Sequence, residues 1–138
     1  MGGKVILMLV SPLLNSEIGD PDGFVIAEWV DPGCPAEGPM PAAPLHLHRE
    51  CDEAWIVLEG TLVVQNGDEE LTVPAGGAAY VRRGTPHTFW NPSPEPCRYL
   101  LVMTAKTRAL IDAIHATHDR SLPGMKALFE SFDAELLM

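Results

Sequence analysis

Residues 38–60 read GPMPAAPLHLHRECDEAWIVLEG, and the order of residue types in this stretch decides the fold. Pro39, Pro41 and Pro44, with Pro32 and Pro35 upstream, forbid a helix and deny a sheet its donors, so Asp31 to Pro44 reads as an extended lead-in loop. His46 and His48 follow two residues apart. On a strand both imidazoles leave one face while Leu45 and Leu47 take the other. The polar turn Arg49 to Asp52 lets the next apolar run, Glu53 to Leu58, come back beside the pair and carry the Glu53 carboxylate with it.

Downstream, further short runs rich in β-branched, aliphatic and aromatic residues predict strands at Thr61 to Gln65, Glu70 to Val73, Ala78 to Val81, His87 to Trp90 and Tyr99 to Met103. Asn66-Gly67 between two such runs predicts a tight hairpin with positive φ at both residues. Gly76-Gly77, Gly84 and the Pro92, Pro94, Pro96 series mark further reversals. Short strands at this spacing predict an all-β sandwich or barrel. The barrel core is expected at about 23–104. After Met103 the apolar period changes to about 3.6. Leu110, Ile111, Ile114 and Thr117 predict a helix starting near Ala105. Ser121 as cap and Pro123 near the start predict a second helix bearing Met125, Leu128, Phe129, Phe132 and Leu136.

The chain of 138 residues suits one domain, 1–138, with a C-terminal helical extension at about 105–138. Hydrophobic residues make up 46% and charged residues 20%, the balance of a globular protein with a buried core. A net charge of -10 repels phosphate backbones and anionic lipid, so neither nucleic acid nor a membrane surface is expected as a partner. Cys34, Cys51 and Cys97 are odd in number and form no CxxC pair, so they read as small apolar fillers in a reducing, cytoplasmic setting. Lys4 with Val5 to Leu14 lacks a cleavage site and is too short to span a bilayer; it reads as an ordinary first strand.

The chemistry concentrates in four side chains. His46, His48 and His87 offer three imidazoles and Glu53 one carboxylate, a set suited to one divalent transition metal: iron, manganese, nickel, copper or zinc. Glu50 and Asp52 compete with Glu53 for the carboxylate position. His115 and His118, near Asp112 and Asp119, read as a solvated helix face, and Asp68, Glu69 and Glu70 as a solubilising hairpin tip. No GxSxG or phosphate-loop pattern is present, which argues against nucleotide chemistry.

Gly38, His46-x-His48, four residues, Glu53, six residues and Gly60 resemble the first motif of the cupin superfamily, and Gly76, Gly84, His87 and Asn91 fall at the spacings of the second. Fifteen residues separate Gly60 from Gly76, as in small single-domain members. Two positions depart from the pattern: seven residues rather than five precede His46 after Gly38, and Arg82 replaces the usual proline. Neither is a ligand position. The resemblance implies a double-stranded β-helix, or jelly-roll, cupin barrel with one or two C-terminal helices, and it selects Glu53 over Glu50 and Asp52 as the fourth ligand beside His46, His48 and His87.

Alternation places Trp55 and Val57 on the face of Glu53, and Phe89 on that of His87, so these three are expected to wall a mainly apolar substrate pocket. The leading expectation is a metal-dependent enzyme of oxygenase, isomerase or decarboxylase type acting on a small oxygen-bearing organic substrate. The alternatives are a non-catalytic small-molecule or metal-binding module and a structural metal clamp. Val5 to Leu14 and the stripe Met125, Leu128, Phe129 and Phe132 offer more apolar surface than a small barrel covers alone, which predicts a homodimer.

Overall fold

A computed structural model describes residues 7–137. The elements run β1 (Ser16–Gly19), β2 (Phe24–Asp31), β3 (His46–His48), β4 (Glu53–Glu59), β5 (Thr61–Asn66), β6 (Glu69–Pro74), β7 (Ala78–Val81), β8 (His87–Trp90), β9 (Cys97–Thr104), α1 (Ala105–Ala116), α2 (Leu122–Ser131) and β10 (Ala134–Leu136). The strands make two five-stranded antiparallel sheets, ordered β1-β2-β9-β4-β7 and β10-β3-β8-β5-β6, and together with the two helices they form the expected double-stranded β-helix.

The alternation read from the sequence is what the sheets bury. Along β4 every second residue from Glu53 to Val57 is buried, and along β9 the same holds from Cys97 to Met103. The inward faces meet in one core of Trp55, Val57, Leu62, Val64, Phe89, Tyr99, Leu101 and Met103. Burying a large apolar side chain contributes about 1.5–3 kcal/mol, so this layer holds the two sheets together. Cys51 and Cys97 are buried and free, in keeping with a filler role, while Cys34 is half-buried.

The β5–β6 turn sits one residue later than expected. Asn66 pairs with Glu69 as the last strand residue, and positive φ falls on Gly67 alone of the two. A glycine at the first central position is the signature of the type II′ alternative, which leaves Asn66 in the ladder.

Both helices begin as expected. Thr104 caps α1 by accepting from the Thr107 amide, and Ser121 caps α2 by accepting from Gly124. Two expectations are corrected. The second helix does not reach Leu136: it ends at Ser131, Asp133 takes φ 56°, and residues 134–136 return to the sheet beside β3. A side chain that tolerates the left-handed region ends the helix, and a one-turn periodicity cannot distinguish Leu136 as a helical from a strand residue. The stripe Met125, Leu128, Phe129 and Phe132 packs with Leu110, Ala134 and Leu136, which buries Phe129 and leaves the other three half-buried. Residues 7–14 form no strand beyond one bridge from Leu14 to Glu28, and Leu7, Met8 and Leu9 are exposed; the Lys4 to Ile6 part of that expectation lies outside the described residues. The long strand β2, eight residues paired in full with β9, was not anticipated. No helix among the described residues is long and apolar enough to cross a membrane.

Candidate metal centre

Three strands deliver the cluster. His46 and His48 occupy the ends of β3, Glu53 opens β4 and His87 opens β8, where it pairs with His46 across the sheet. All four are buried, and one ligand-capable atom from each lies within 4.8 Å of every other. Ligand atoms held about 2.0–2.2 Å from one ion stand roughly 3–4.4 Å apart, so the cluster has the dimensions of a single-ion site.

Backbone carbonyls orient two of the rings. His46 Nδ1 lies 2.6 Å from the Pro44 carbonyl and His87 Nδ1 lies 2.9 Å from that of Thr85. A carbonyl only accepts, so each Nδ1 carries a proton and each Nε2 is turned toward the cluster. His87 Nε2 is 3.2 Å and His48 Nε2 is 2.5 Å from the same Glu53 Oε1. The His48 approach lacks hydrogen-bond geometry, which leaves His48 Nε2 buried and unpartnered. An orphaned imidazole nitrogen beside a buried carboxylate is the arrangement a cation would satisfy.

Electrostatics agree with a neutral His46 imidazole and an ionised Glu53 carboxylate. Burial, followed by the neighbouring His87, lowers the His46 pKa to about 4. Burial would raise Glu53, but its contacts with His48 and His87 outweigh that and bring it down to about 2. For His87 burial again works downward, and the bond and charge of Glu53 overcome it, raising its pKa.

A cavity of about 300 Å³ opens beside the cluster, lined by His46, His48 and Glu53, by Trp29, Trp55, Phe89, Tyr99 and Phe129, and by aliphatic residues of β9 and α1. Trp55 and Phe89 stand on its lining. Val57 does not: it is fully buried in the core, because alternation sets the face of a side chain and not its depth along the strand. Trp29 and Tyr99, from β2 and β9, are wall residues that the sequence reading missed, although Tyr99, Leu101 and Met103 alternate legibly. His115, read as part of a solvated face, stands on the cavity lining. A larger open groove of about 560 Å³, lined by Glu17, Asp20, Arg108 and Asp112 among others, includes none of the four cluster residues and lacks their chemistry.

Residues 38–103 match the family model described as Cupin domain. This stretch of the chain is a cupin domain. It is 33% identical over 73 residues to a mannose-1-phosphate guanylyltransferase of Salmonella muenchen, a match covering 53% of this chain and 15% of that protein. Among solved structures it resembles the TT1209 protein of Thermus thermophilus with TM-score 0.53 and 27% identity, covering 64% of this chain and 78% of that one. A sugar phosphate isomerase from Silicibacter pomeroyi gives TM-score 0.50 and 28% identity, covering 59% of this chain and 50% of that one. The chain thus spans only a small part of the curated relative and half of the isomerase.

Proposed function

We propose that this cupin is a metal-dependent enzyme in which His46, His48, Glu53 and His87 hold one divalent transition metal. The observation that supports it is the pinning of His46 and His87 through Nδ1, which aims both Nε2 atoms at a buried carboxylate. When bound, the ion supplies Lewis-acid or dioxygen chemistry, and an ion preferring more than four ligands keeps positions open for substrate. The protein's own part is to fix the orientation of His46 and His87 through Nδ1 and to exclude water with Trp55, Phe89 and Phe129. It receives a small oxygen-bearing organic molecule in the adjoining cavity. A phosphorylated sugar, the class named for two of the relatives, is the second reading.

The barrel of about 23–104 and the extension of about 105–138 act as one unit in this proposal, since β10 pairs with the histidine strand. Exposed Leu7, Met8, Leu9, Phe24 and Tyr80 support a homodimer, and three free cysteines support a cytoplasmic setting.

Calorimetric titration with nickel, manganese, iron and zinc is expected to give about one ion per chain, with affinity falling by at least about 100-fold in His46→Ala and His87→Ala. Unchanged affinity in both variants removes the site. Oxygen uptake and product formation with the loaded protein then separate an enzyme from a binding module.

A further inference from the structure

The cavity beside the cluster carries a polarity pattern that selects among ligands, an inference that rests on the metal-dependent reading above. From His87 a run of rings extends along the wall: Trp55 at 5.9 Å, Phe89 at 5.3 Å from Trp55, and Tyr99 at 5.8 Å from Phe89, centroid to centroid. No Lys or Arg lines the cavity among the described residues. The Arg108 guanidinium lies 5.7 Å from the Trp29 ring, but it is paired with Glu17 and Asp112 and is not part of the lining.

Tyr99 adds a polar group to this wall, beside the buried and unpartnered indole N–H of Trp55. It is 6% exposed, lines the cavity, and has no hydrogen-bond partner for its hydroxyl among the described residues. Burial, and after it the Asp31 carboxylate, pushes its ionisation well above the ordinary range, so the group stays a neutral O–H donor.

We propose that the cavity takes an uncharged or singly anionic aryl-bearing molecule, with chelating oxygens at the His46–Glu53 end and a second oxygen that accepts from the Tyr99 hydroxyl, and that it rejects phosphorylated sugars. An aryl ring gains offset or edge contacts with Trp55 and Phe89. A sugar phosphate would bring several hydroxyls against walls such as Leu101 and Leu110, where nothing pairs with them, and desolvating unpaired polar groups is costly. A divalent ion balanced by Glu53 leaves roughly one net positive charge at one end of the cavity, less than a phosphate dianion carries. The protein's net charge of -10 further opposes entry of a dianion.

The test titrates nickel-loaded and metal-free protein, wild type and Tyr99→Phe, with benzoylacetone, its meta- and para-methoxy derivatives, and glucose 6-phosphate. Binding is read by calorimetry and tryptophan fluorescence. In the loaded wild type one methoxy isomer is expected to bind about 5–10-fold tighter than the parent, the yield of one neutral hydrogen bond. Tyr99→Phe removes that gain and leaves the parent within about twofold, a comparison that also controls for folding. Glucose 6-phosphate is expected to bind at least about 100-fold more weakly than benzoylacetone. Glucose 6-phosphate within about tenfold of benzoylacetone, or a methoxy effect identical in wild type and variant for both isomers, overturns the inference. Nickel uptake is measured separately: no uptake by wild type defeats the metal reading alone, and the metal-free titrations still decide whether the wall and Tyr99 select the aryl probes. Normal uptake with the wrong ligand preference defeats only the ligand class.

Discussion

Strands β8 and β10 flank the same three-residue strand, β3, and do different things to it. β8 meets it through the single register pair His46 and His87 and adds a ligand-capable imidazole and the Phe89 wall. β10 meets it through three pairs, Ala134 with His48, Glu135 with Leu47 and Leu136 with His46, and adds no cluster residue. Its contribution is support: the Leu137 amide bonds the Leu45 carbonyl at 3.0 Å, the Arg49 amide bonds that of Asp133 at 2.8 Å, and Phe129 packs edge-on against His46 with centroids 5.6 Å apart. Chemistry and rigidity thus reach β3 from opposite sides and from separate stretches of chain. Without β10 the histidine strand would be a short edge with unpaired backbone groups, a poor platform for a site that must hold its geometry.

Phe129→Ala puts this division under the most strain. Phe129 is 1% exposed and packs with Leu110, Ala134 and Leu136, so the substitution is expected to cost about 3–5 kcal/mol in denaturant unfolding. Nickel affinity should fall far less than in His46→Ala; a comparable loss breaks the distinction between supporting and ligating sides. Ser121→Ala removes the cap of α2 on the supporting side and is expected to cost about 1 kcal/mol with metal affinity unchanged. Melting temperatures and nickel titrations on the same preparations check both.

The smallest effect lies on the exposed turn between β3 and β4. There the Tyr80 hydroxyl, and after it the Arg83 amide, hold Asp52 below its ordinary pKa of 3.8. A carboxyl depressed in the folded state stabilises above its unfolded pKa and loses that contribution as pH falls through the folded value. Tyr80→Phe should therefore move the Asp52 titration upward toward its ordinary value, followed by the side-chain carbon shift in NMR, while nickel binding at neutral pH stays put. An Asp52 titration that ignores the substitution would show that the Arg83 amide alone sets it.

Much of the candidate centre was readable because its parts are local in sequence. His46-x-His48 on a strand shares a face by geometry, Glu53 returns after a short turn, and His87 opens a strand whose bounds, like those of Ala78 to Val81, follow from glycine, proline and β-branched residues. The misses have physical reasons. Val57 shares a face with Glu53 but sits about 13 Å farther along the strand at some 3.3 Å per residue, past the cavity. Leu136 continued an apolar spacing, and Asp133, whose side chain tolerates the left-handed turn that redirected it, is too common a residue to mark a helix end alone.

By itself, then, the sequence determined the residue types, their faces and the strand periods, because side-chain alternation and turn preferences act over a few residues. Only the tertiary structure decided that β10 closes β3, that β2 and β9 complete the cavity wall with Trp29 and Tyr99, and that Val57 is core rather than pocket. Those outcomes depend on pairings between residues tens of positions apart, selected by how well whole faces pack, and no short-range rule contains that information.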